Sequence, residues 1–175
     1  MKKKEPPPTK LDLGCGSNKQ PGFFGVDRKK FPGVDHVMDL GDGRWPWASN
    51  SIEEAYCSHF IEHLTWPERV HFFNELYRVL KKGAKVTLIL PHWCSNRYYG
   101  DPTHKEPFSE MAFYYLRKTW REQNAPHVDY TCDFEATWAY GLNPAITTRN
   151  QEFQLFAIQY YKDAITDIHA TLVKI

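Results

Sequence analysis

Short apolar runs that end on glycine or aspartate recur through the first third of the chain. Four of them have the composition of buried strands, at residues 10–13, 23–27, 35–38 and 54–58. Gly14 and Gly16 close the first run, and Ile52 leads into the fourth. The second run ends on Asp27, and Asp39 follows the third. The pattern predicts strands whose ends carry turn residues and polar groups.

A helix is predicted from Thr65 to Gly83, because apolar residues recur there at helical spacing. Thr65 and Glu68 have capping-box spacing, and Pro67 stands near the first helical position. The apolar face comprises Val70, Phe73, Leu76, Tyr77 and Leu80. Two lysines before Gly83 suit the negative end of the helix dipole. The apolar run 86–90 follows at once and predicts a central parallel strand covered on both faces.

The remaining segments complete an α/β pattern. Residues 109–123 predict a second helix. Residues 134–140, 153–161 and 165–173 are rich in strand formers, with a turn at Lys162-Asp163. We therefore predict a single open, mostly parallel sheet with an antiparallel strand pair at its C-terminal end.

Composition narrows the class of protein. The 175 residues suffice for one domain, and 42% of them are hydrophobic, so the chain can bury a core. A net charge of +1 does not indicate tight nonspecific nucleic-acid binding, although it does not exclude a local basic patch. The start MKKKEPPPTK lacks the apolar segment of a signal peptide, and no apolar run suggests a membrane span. We expect residues 1–9 to be a solvated tail and residues 10–175 to be one domain.

The number and spacing of the cysteines indicate the cellular compartment. Cys15, Cys57, Cys94 and Cys132 lie far apart and form no CxxC pair. A domain of this size does not need disulfides, so we interpret the four as reduced thiols. We therefore expect a cytoplasmic protein.

The strand ends carry the first candidate chemistry. In open α/β sheets, ligands bind at the carboxyl ends of the strands. Gly14 and Gly16 would let a ligand approach the backbone closely. Asp27 is placed to bind the two hydroxyls of a ribose, and Asp39 would lie beside the base. Together these strand ends indicate a nucleotide-binding site.

Five stretches resemble class I S-adenosylmethionine-dependent methyltransferases, which have a Rossmann-like fold. They are LDLGCG, GVD, DHVMDL, SNSIEEAYCSHFIEHL and ELYRVLKKGAKVTLILP, in family order over roughly residues 10–92. Within the family, the chain looks most like compact bacterial and phage members with a shortened first crossover, an SH-x-x-EH segment and a later DPTH. The resemblance implies S-adenosylmethionine as the cofactor. It also implies the cofactor-binding residues Asp12, Gly14, Cys15, Gly16, Asp27, Asp39, Leu40, Ser58 and His59.

The first crossover departs from the usual nucleotide fold. The stretch GCGSNKQPGFFGVD leaves room for a turn or two, whereas a parallel connection usually takes a dozen or more residues. We therefore predict a reduced first helix. We also expect one face of the sheet near the first two strands to be thinly covered, with the tail, the C-terminal segments or a second copy of the chain over it.

The segment from His59 to His63 offers a rival chemistry. His59, Glu62 and His63 fit H-x-x-E-H, an inverted zinc-protease signature. The motif directly follows a strand, a new helix begins two residues later, and no third ligand is placed as that class needs. We therefore predict no metal and interpret Glu62 and His63 as bracing a short turn.

The long loop after Pro91 holds the candidate catalytic residues. His92, Asp101 and His104 are each suited to take a proton from an acceptor, although such residues in a Pro-rich loop also satisfy backbone groups. Trp93, Tyr98 and Tyr99 fit an aromatic wall for a planar acceptor and, equally, core packing.

The predicted function is methyl transfer to a small molecule, nucleotide or saccharide. The alternative is a noncatalytic protein that binds S-adenosylmethionine or a partner. Nucleic acid is neither excluded nor indicated, since SHFI stands where amino-methylating DNA enzymes place an NPPY-type tetrapeptide. We expect no membrane partner.

Overall fold

The computed structural model describes residues 6–175. Most of the predicted tail lies outside the described residues, so its separation from the domain stays a prediction. None of the helices within residues 6–175 has the length and apolar character that crossing a membrane requires.

Within residues 6–175, seven strands form one sheet. They are β1 Lys10–Leu13, β2 Phe24–Asp27, β3 His36–Val37, β4 Ile52–Ser58, β5 Leu80–Pro91, β6 Phe134–Leu142 and β7 Ile165–Lys174. The helices are α1 Trp66–Val79, α2 Asn96–Gly100, α3 Lys118–Asn124, α4 Pro144–Thr147 and α5 Gln151–Tyr160, with 3-10 turns at Ile61–His63 and Glu110–Leu116. The strand order is β3-β2-β1-β4-β5-β7-β6. β1 to β5 run parallel and β7 is antiparallel to both neighbours, which confirms the predicted fold class.

Helix α1 begins as predicted. The backbone N–H of Thr65 donates to Glu68 Oε2 over 2.6 Å, and the Thr65 hydroxyl donates to the same oxygen over 2.8 Å. This satisfies a donor that the first helical turn leaves without a partner. The helix buries Phe72, Phe73 and Leu76 in the core.

The predicted end of this helix at Gly83 is wrong. The helix ends at Val79, and Leu80 already pairs with Ile52 as the first residue of β5. Lys174 of β7 stabilises this end, because its ammonium donates to the carbonyls of Tyr77 and Leu80, each over 2.7 Å. The buried ammonium of Lys174, near the C-terminus, therefore stabilises the end of α1, a role that the local pattern assigned to Gly83.

The sheet buries one of its faces. Leu13, Leu88 and Leu172 lie on that face and pack with the helices in a single hydrophobic core. The opposite face is half-buried or exposed along a row in strand register: Tyr56, Thr87, Thr171 and Thr137. The prediction that residues 86–90 are covered on both faces is therefore wrong, since Thr87 and Ile89 alternate with buried neighbours.

The first crossover itself covers β1 and β2. The backbone N–H of Gln20 donates to Asp12 Oδ2 over 2.6 Å, and Lys19 pairs with Asp35 over 2.7 Å. Asp12 and Gly25 are consequently buried beneath this segment. The thinly covered part of this sheet face therefore lies at strands β4 to β6. The prediction that it lies near the first two strands is wrong. The row exposed there is mainly polar, and assembly with a second copy stays a prediction.

The C-terminal third contains a helix where a strand was predicted. Residues 153–161 fall largely within α5, so the strand prediction there is wrong. Asn150 caps this helix by accepting from the Phe153 N–H over 2.9 Å, and this local cap outweighs the strand propensity of the aromatic residues. The predicted helix 109–123 is interrupted at Arg117, between a 3-10 turn and α3.

Candidate active site

The turn after β1 requires glycine. Gly14 has a φ of 74°, and a Cβ at this position would lie 2.3 Å from the Phe60 ring. The N–H groups of Gly14 and Cys15 donate to the Val26 carbonyl over 2.8 and 3.1 Å, which ties the turn to β2. Gly16 has a φ of 52° and open space beside it, so its backbone is accessible to a ligand.

Asp27 at the end of β2 holds the same turn. Its Oδ2 accepts from the Gly16 N–H over 3.0 Å, and its Oδ1 accepts from the Lys29 N–H over 2.8 Å. Each carboxylate oxygen has two lone pairs, so both retain capacity for a hydroxyl donor. The carboxylate is thus fixed in place by the backbone.

Asp12 and Cys15, both predicted to bind the cofactor, are buried beneath this turn. Asp12 is 2% exposed, and burial raises the pKa of its carboxyl against the opposing hydrogen bond from Gln20. Burial likewise raises the pKa of the Cys15 thiol to about 11. Neither residue lines the cavity at the strand ends, and Asp12 accepts the hydrogen bond from Gln20 that holds the crossover.

A first cavity of about 350 Å³ lies at the carboxyl ends of β1 to β4. Its lining includes the predicted residues Gly14, Gly16, Asp27, Asp39, Leu40 and His59. Ser58 does not line it. The volume falls at the lower end of the range of about 300–1,000 Å³ that small-molecule sites occupy.

A second cavity of about 660 Å³ lies at the carboxyl end of β5. The end of β6 and the start of β7 reach the same edge, because β7 runs antiparallel to both strands. The cavity is lined by His92, Trp93, Cys94, Tyr99, Glu110, Tyr140, Tyr160 and Tyr161, among others. Its aromatic walls suit an apolar or planar ligand.

His92 joins a chain of polar groups at this second cavity. Its Nδ1 lies 2.9 Å from Cys94 Sγ, and its Nε2 lies 3.2 Å from Glu110 Oε2. Burial lowers the pKa of the imidazole, and the Glu110 carboxylate partly offsets this effect. The neutral ring is therefore favoured near pH 7, which is the form that accepts a proton.

The other two predicted catalytic residues lie elsewhere. His104 Nε2 is 3.8 Å from Asp101 Oδ2 and 3.9 Å from Glu62 Oε1, close to the first cavity, which Thr103 lines. Hydrogen bonds from Thr103 lower the pKa of the exposed Asp101 carboxyl. His92 thus faces one cavity, while Asp101 and His104 lie beside the other. The three residues of the predicted aromatic wall are also separated. Trp93 and Tyr99 line the second cavity, whereas Tyr98 is buried and stacks on His104.

The H-x-x-E-H segment does not form a helical zinc motif. His59 has a φ of 51°, and a 3-10 turn begins only at Ile61, so His59 and His63 do not share a helix face. The interpretation of Glu62 as a brace is also wrong for its side chain, because neither carboxylate oxygen has a hydrogen-bond partner within residues 6–175. Glu62 raises the pKa of the nearby His59.

Several residues that line the two cavities were not predicted from the sequence. Arg28 and Lys29 line the first cavity, and their position directly after Asp27 was the available signal. Glu110, Tyr140 and Tyr160 line the second cavity but come from three separate elements. No local motif joins those three, so only the fold brings them together.

Comparisons with known proteins agree with this geometry. The sequence model of a methyltransferase domain family matches residues 20–88. No curated protein matches the sequence. A SAM-dependent methyltransferase from Archaeoglobus fulgidus has a similar structure, with a TM-score of 0.67 and 18% identity over 95% of this chain and 85% of that one.

Two further structures share the fold. Geranyl diphosphate C-methyltransferase from Streptomyces coelicolor A3(2), solved with Mg2+, geranyl diphosphate and S-adenosyl-L-homocysteine, has a TM-score of 0.57 and 15% identity, over 97% of this chain and 74% of that one. An S-adenosylmethionine-dependent methyltransferase from Mesorhizobium loti has a TM-score of 0.58 and 11% identity, over 95% and 91%. The family match over residues 20–88 and the shared fold agree with the predicted resemblance to class I S-adenosylmethionine-dependent methyltransferases.

Proposed function

We propose that this protein transfers a methyl group from S-adenosylmethionine, held in the first cavity, to a small planar or apolar acceptor held in the second. The observation that carries the proposal is the placement of both cavities at one edge of one sheet. The first spans β3, β2, β1 and β4, and the second spans β5, β7 and β6. The adjacent strands β4 and β5 bring the two cavities side by side.

The residues of the first cavity fit the cofactor. The open backbone at Gly16 accommodates a ligand chain, and the free lone pairs of Asp27 suit ribose hydroxyls. Asp39 lies further along the same lining, where it is available to the base. S-Adenosylmethionine supplies an electrophilic methyl group, whose bond to sulfur breaks as the acceptor's nucleophile bonds to it.

His92 is proposed as the group that takes the acceptor's proton. It is neutral near pH 7, it lines the acceptor cavity, and Glu110 stabilises the imidazolium that forms. Trp93, Tyr99 and Tyr140 would align the acceptor and exclude water, which is the main catalytic demand of an in-line displacement. Asp101 and His104 have no part in this step.

Calorimetry with S-adenosylmethionine and S-adenosylhomocysteine tests the cofactor half of the proposal. We expect Asp27→Asn to weaken binding by about 10- to 100-fold, the equivalent of one charge-assisted hydrogen bond. Asp129→Asn is the matched control, since Asp129 is exposed and remote from both cavities. Equal affinity of Asp27→Asn and the wild type would refute the assignment.

Turnover of small phenols and heteroaromatic amines, followed by mass spectrometry, tests the acceptor half. We expect a methylated product whose formation falls in His92→Gln and Tyr140→Ala. Tight cofactor binding without any product, across a broad acceptor panel, would favour the noncatalytic alternative.

A further inference from the structure

We propose that Glu62, His63 and His104 bind a divalent first-row transition-metal ion beside the first cavity. One potential ligand atom from each residue lies within 4.8 Å of the other two. Bonds of about 2.0–2.2 Å from nitrogen and oxygen to zinc or a similar ion require only a small inward movement from this spacing. The site stands independently of methyl transfer.

Hydrogen bonds already set both imidazoles in the form that binds a metal. His104 Nδ1 lies 2.6 Å from the Tyr98 carbonyl, which only accepts, so this nitrogen carries the hydrogen. The Thr103 hydroxyl donates to Asp101 Oδ1 over 2.6 Å, so it accepts from His63 Nδ1 at 3.1 Å. Each ring therefore keeps the lone pair of Nε2 free. A histidine ligand typically has its second nitrogen oriented in this way.

The burial of the Glu62 carboxylate without hydrogen bonds is the strongest indication of a bound cation. Its side chain is 1% exposed, and in the described part of the chain both carboxylate oxygens lack a hydrogen-bond partner. A buried carboxylate without partners is costly, so proteins pair it with a cation or a metal. The nearest basic atoms, His59 Nδ1 at 3.6 Å and His104 Nε2 at 3.9 Å, are too far for hydrogen bonds.

The buried Arg69 nearby makes its hydrogen bonds to backbone carbonyls and not to Glu62. Its Nε donates to the Ile61 carbonyl over 3.0 Å, and one terminal nitrogen donates to the Pro107 carbonyl over 3.1 Å. The other terminal nitrogen donates to the Glu106 carbonyl. The guanidinium therefore holds the loop after β5 and offers no hydrogen bond to the Glu62 carboxylate.

The ligand set favours a transition ion over magnesium or calcium. Two imidazoles and one carboxylate suit zinc, iron, cobalt or manganese, whereas magnesium and calcium prefer all-oxygen sites. Three protein ligands leave coordination positions open, as in catalytic metal sites. His63 also lines the first cavity, so the ion would border the proposed cofactor site.

The proposal revises the interpretation of the H-x-x-E-H segment. His59 is not a ligand, while Glu62 and His63 are joined by His104 from the DPTH stretch. A hydrogen bond from the Lys105 N–H to the Glu62 carbonyl, over 2.9 Å, holds that stretch against the 3-10 turn. The third ligand that seemed to be missing from the motif comes from a distant loop.

Cobalt binding tests the proposal on the full chain with any affinity tag removed. The protein is dialysed against a chelator, the chelator is removed, and cobalt(II) chloride is added while the visible spectrum is recorded. We expect one equivalent to bind with ligand-field absorption of a nitrogen- and oxygen-coordinated ion. Zinc should displace the cobalt and abolish the absorption.

Three variants and a control locate the site. We expect Glu62→Gln and His104→Gln to weaken cobalt binding by at least about 100-fold, and Thr103→Val to weaken it by about 10- to 100-fold through the orientation of His63. His127→Gln, at an exposed histidine outside the cluster, should bind as the wild type does. Circular dichroism melts, recorded in chelator, establish that each variant is folded.

Two outcomes overturn the proposal. One is the lack of a cobalt spectrum in the folded wild type. The other is unchanged cobalt affinity in Glu62→Gln with a higher melting temperature, which would identify Glu62 as an unneutralised or histidine-paired buried carboxylate. Calorimetry with S-adenosylhomocysteine in chelator is run alongside, so a failure of the metal site is distinguishable from a failure of cofactor binding.

Discussion

Lys174 connects the last strand to the end of α1, and its replacement by methionine should destabilise the whole fold. The side chain is 8% exposed and its ammonium donates to the carbonyls of Tyr77 and Leu80 and to the Asn50 side-chain oxygen, over 2.7, 2.7 and 2.8 Å. It also lies 4.4 Å from the centre of the Tyr77 ring. Methionine keeps an unbranched side chain, one atom shorter, and removes the ammonium together with its three hydrogen bonds and its attraction to the ring.

The magnitude follows from the acceptors left without a donor. An unsatisfied buried acceptor costs about 1–3 kcal/mol, so the carbonyls of Tyr77 and Leu80 together lose about 2–6 kcal/mol, while exposed Asn50 can bind water. Part of this loss is offset, because the variant no longer desolvates the ammonium, the effect that lowers the pKa of Lys174. A net loss of about 3 kcal/mol lowers the melting temperature of a chain of this size by about 6–12 °C.

Thermal unfolding followed by circular dichroism measures this loss. Lys82→Met is the matched control, because Lys82 is an exposed lysine of the neighbouring strand β5. A melting temperature of Lys174→Met within about 1 °C of the wild type would refute the role assigned to the ammonium.

Two further predictions concern the site. Gly14→Ala should fail to bind S-adenosylhomocysteine in calorimetry, because its Cβ collides with Phe60 at a positive φ. Gly22→Ala is the control, since Gly22 has a similar φ but open space beside it, and this variant should keep wild-type affinity. Equal affinity of the two variants would contradict the collision as the reason. Burial lowers the pKa of His92, so below pH 6.5 the unfolded chain binds more protons there, and stability falls as pH drops. His92→Gln should flatten that dependence in denaturant titrations between pH 7 and 5, and an unchanged slope would contradict it.

The first half of the fold was predictable because its signals are local. The first three parallel strands end at, or one or two residues before, a residue that lines the first cavity: Gly14, Asp27 and Asp39. The capping residues of α1 are likewise neighbours in sequence. Parallel strands then place their carboxyl ends at one edge, so the first cavity follows from strand order alone.

The remainder depends on contacts between distant residues. The end of α1 is set by Lys174, which a local pattern cannot reveal. The aromatic residues of α5 have high strand propensity, and their helical state depends on the Asn150 cap and on the place of Ala157 in the interior. Because α5 was predicted to be a strand, the second cavity that it helps to line was not predicted.

The candidate catalytic set was only partly predictable for the same reason. Loop composition indicated His92 and His104 as candidate bases but could not assign them to different cavities. Glu110 is the hydrogen-bond partner of His92, and Glu62 lies 3.9 Å from His104. Both placements arise from packing between separate loops.

A crystal structure with S-adenosylhomocysteine tests the central claim most directly, because it shows both the cavity used and the direction of the sulfur. We predict the adenosyl group in the first cavity, with ribose hydroxyls donating to Asp27 and the sulfur directed toward β5 and the second cavity. Binding of the ligand among Trp93, Tyr140 and Tyr160, or with its sulfur directed away from β5, would contradict the account.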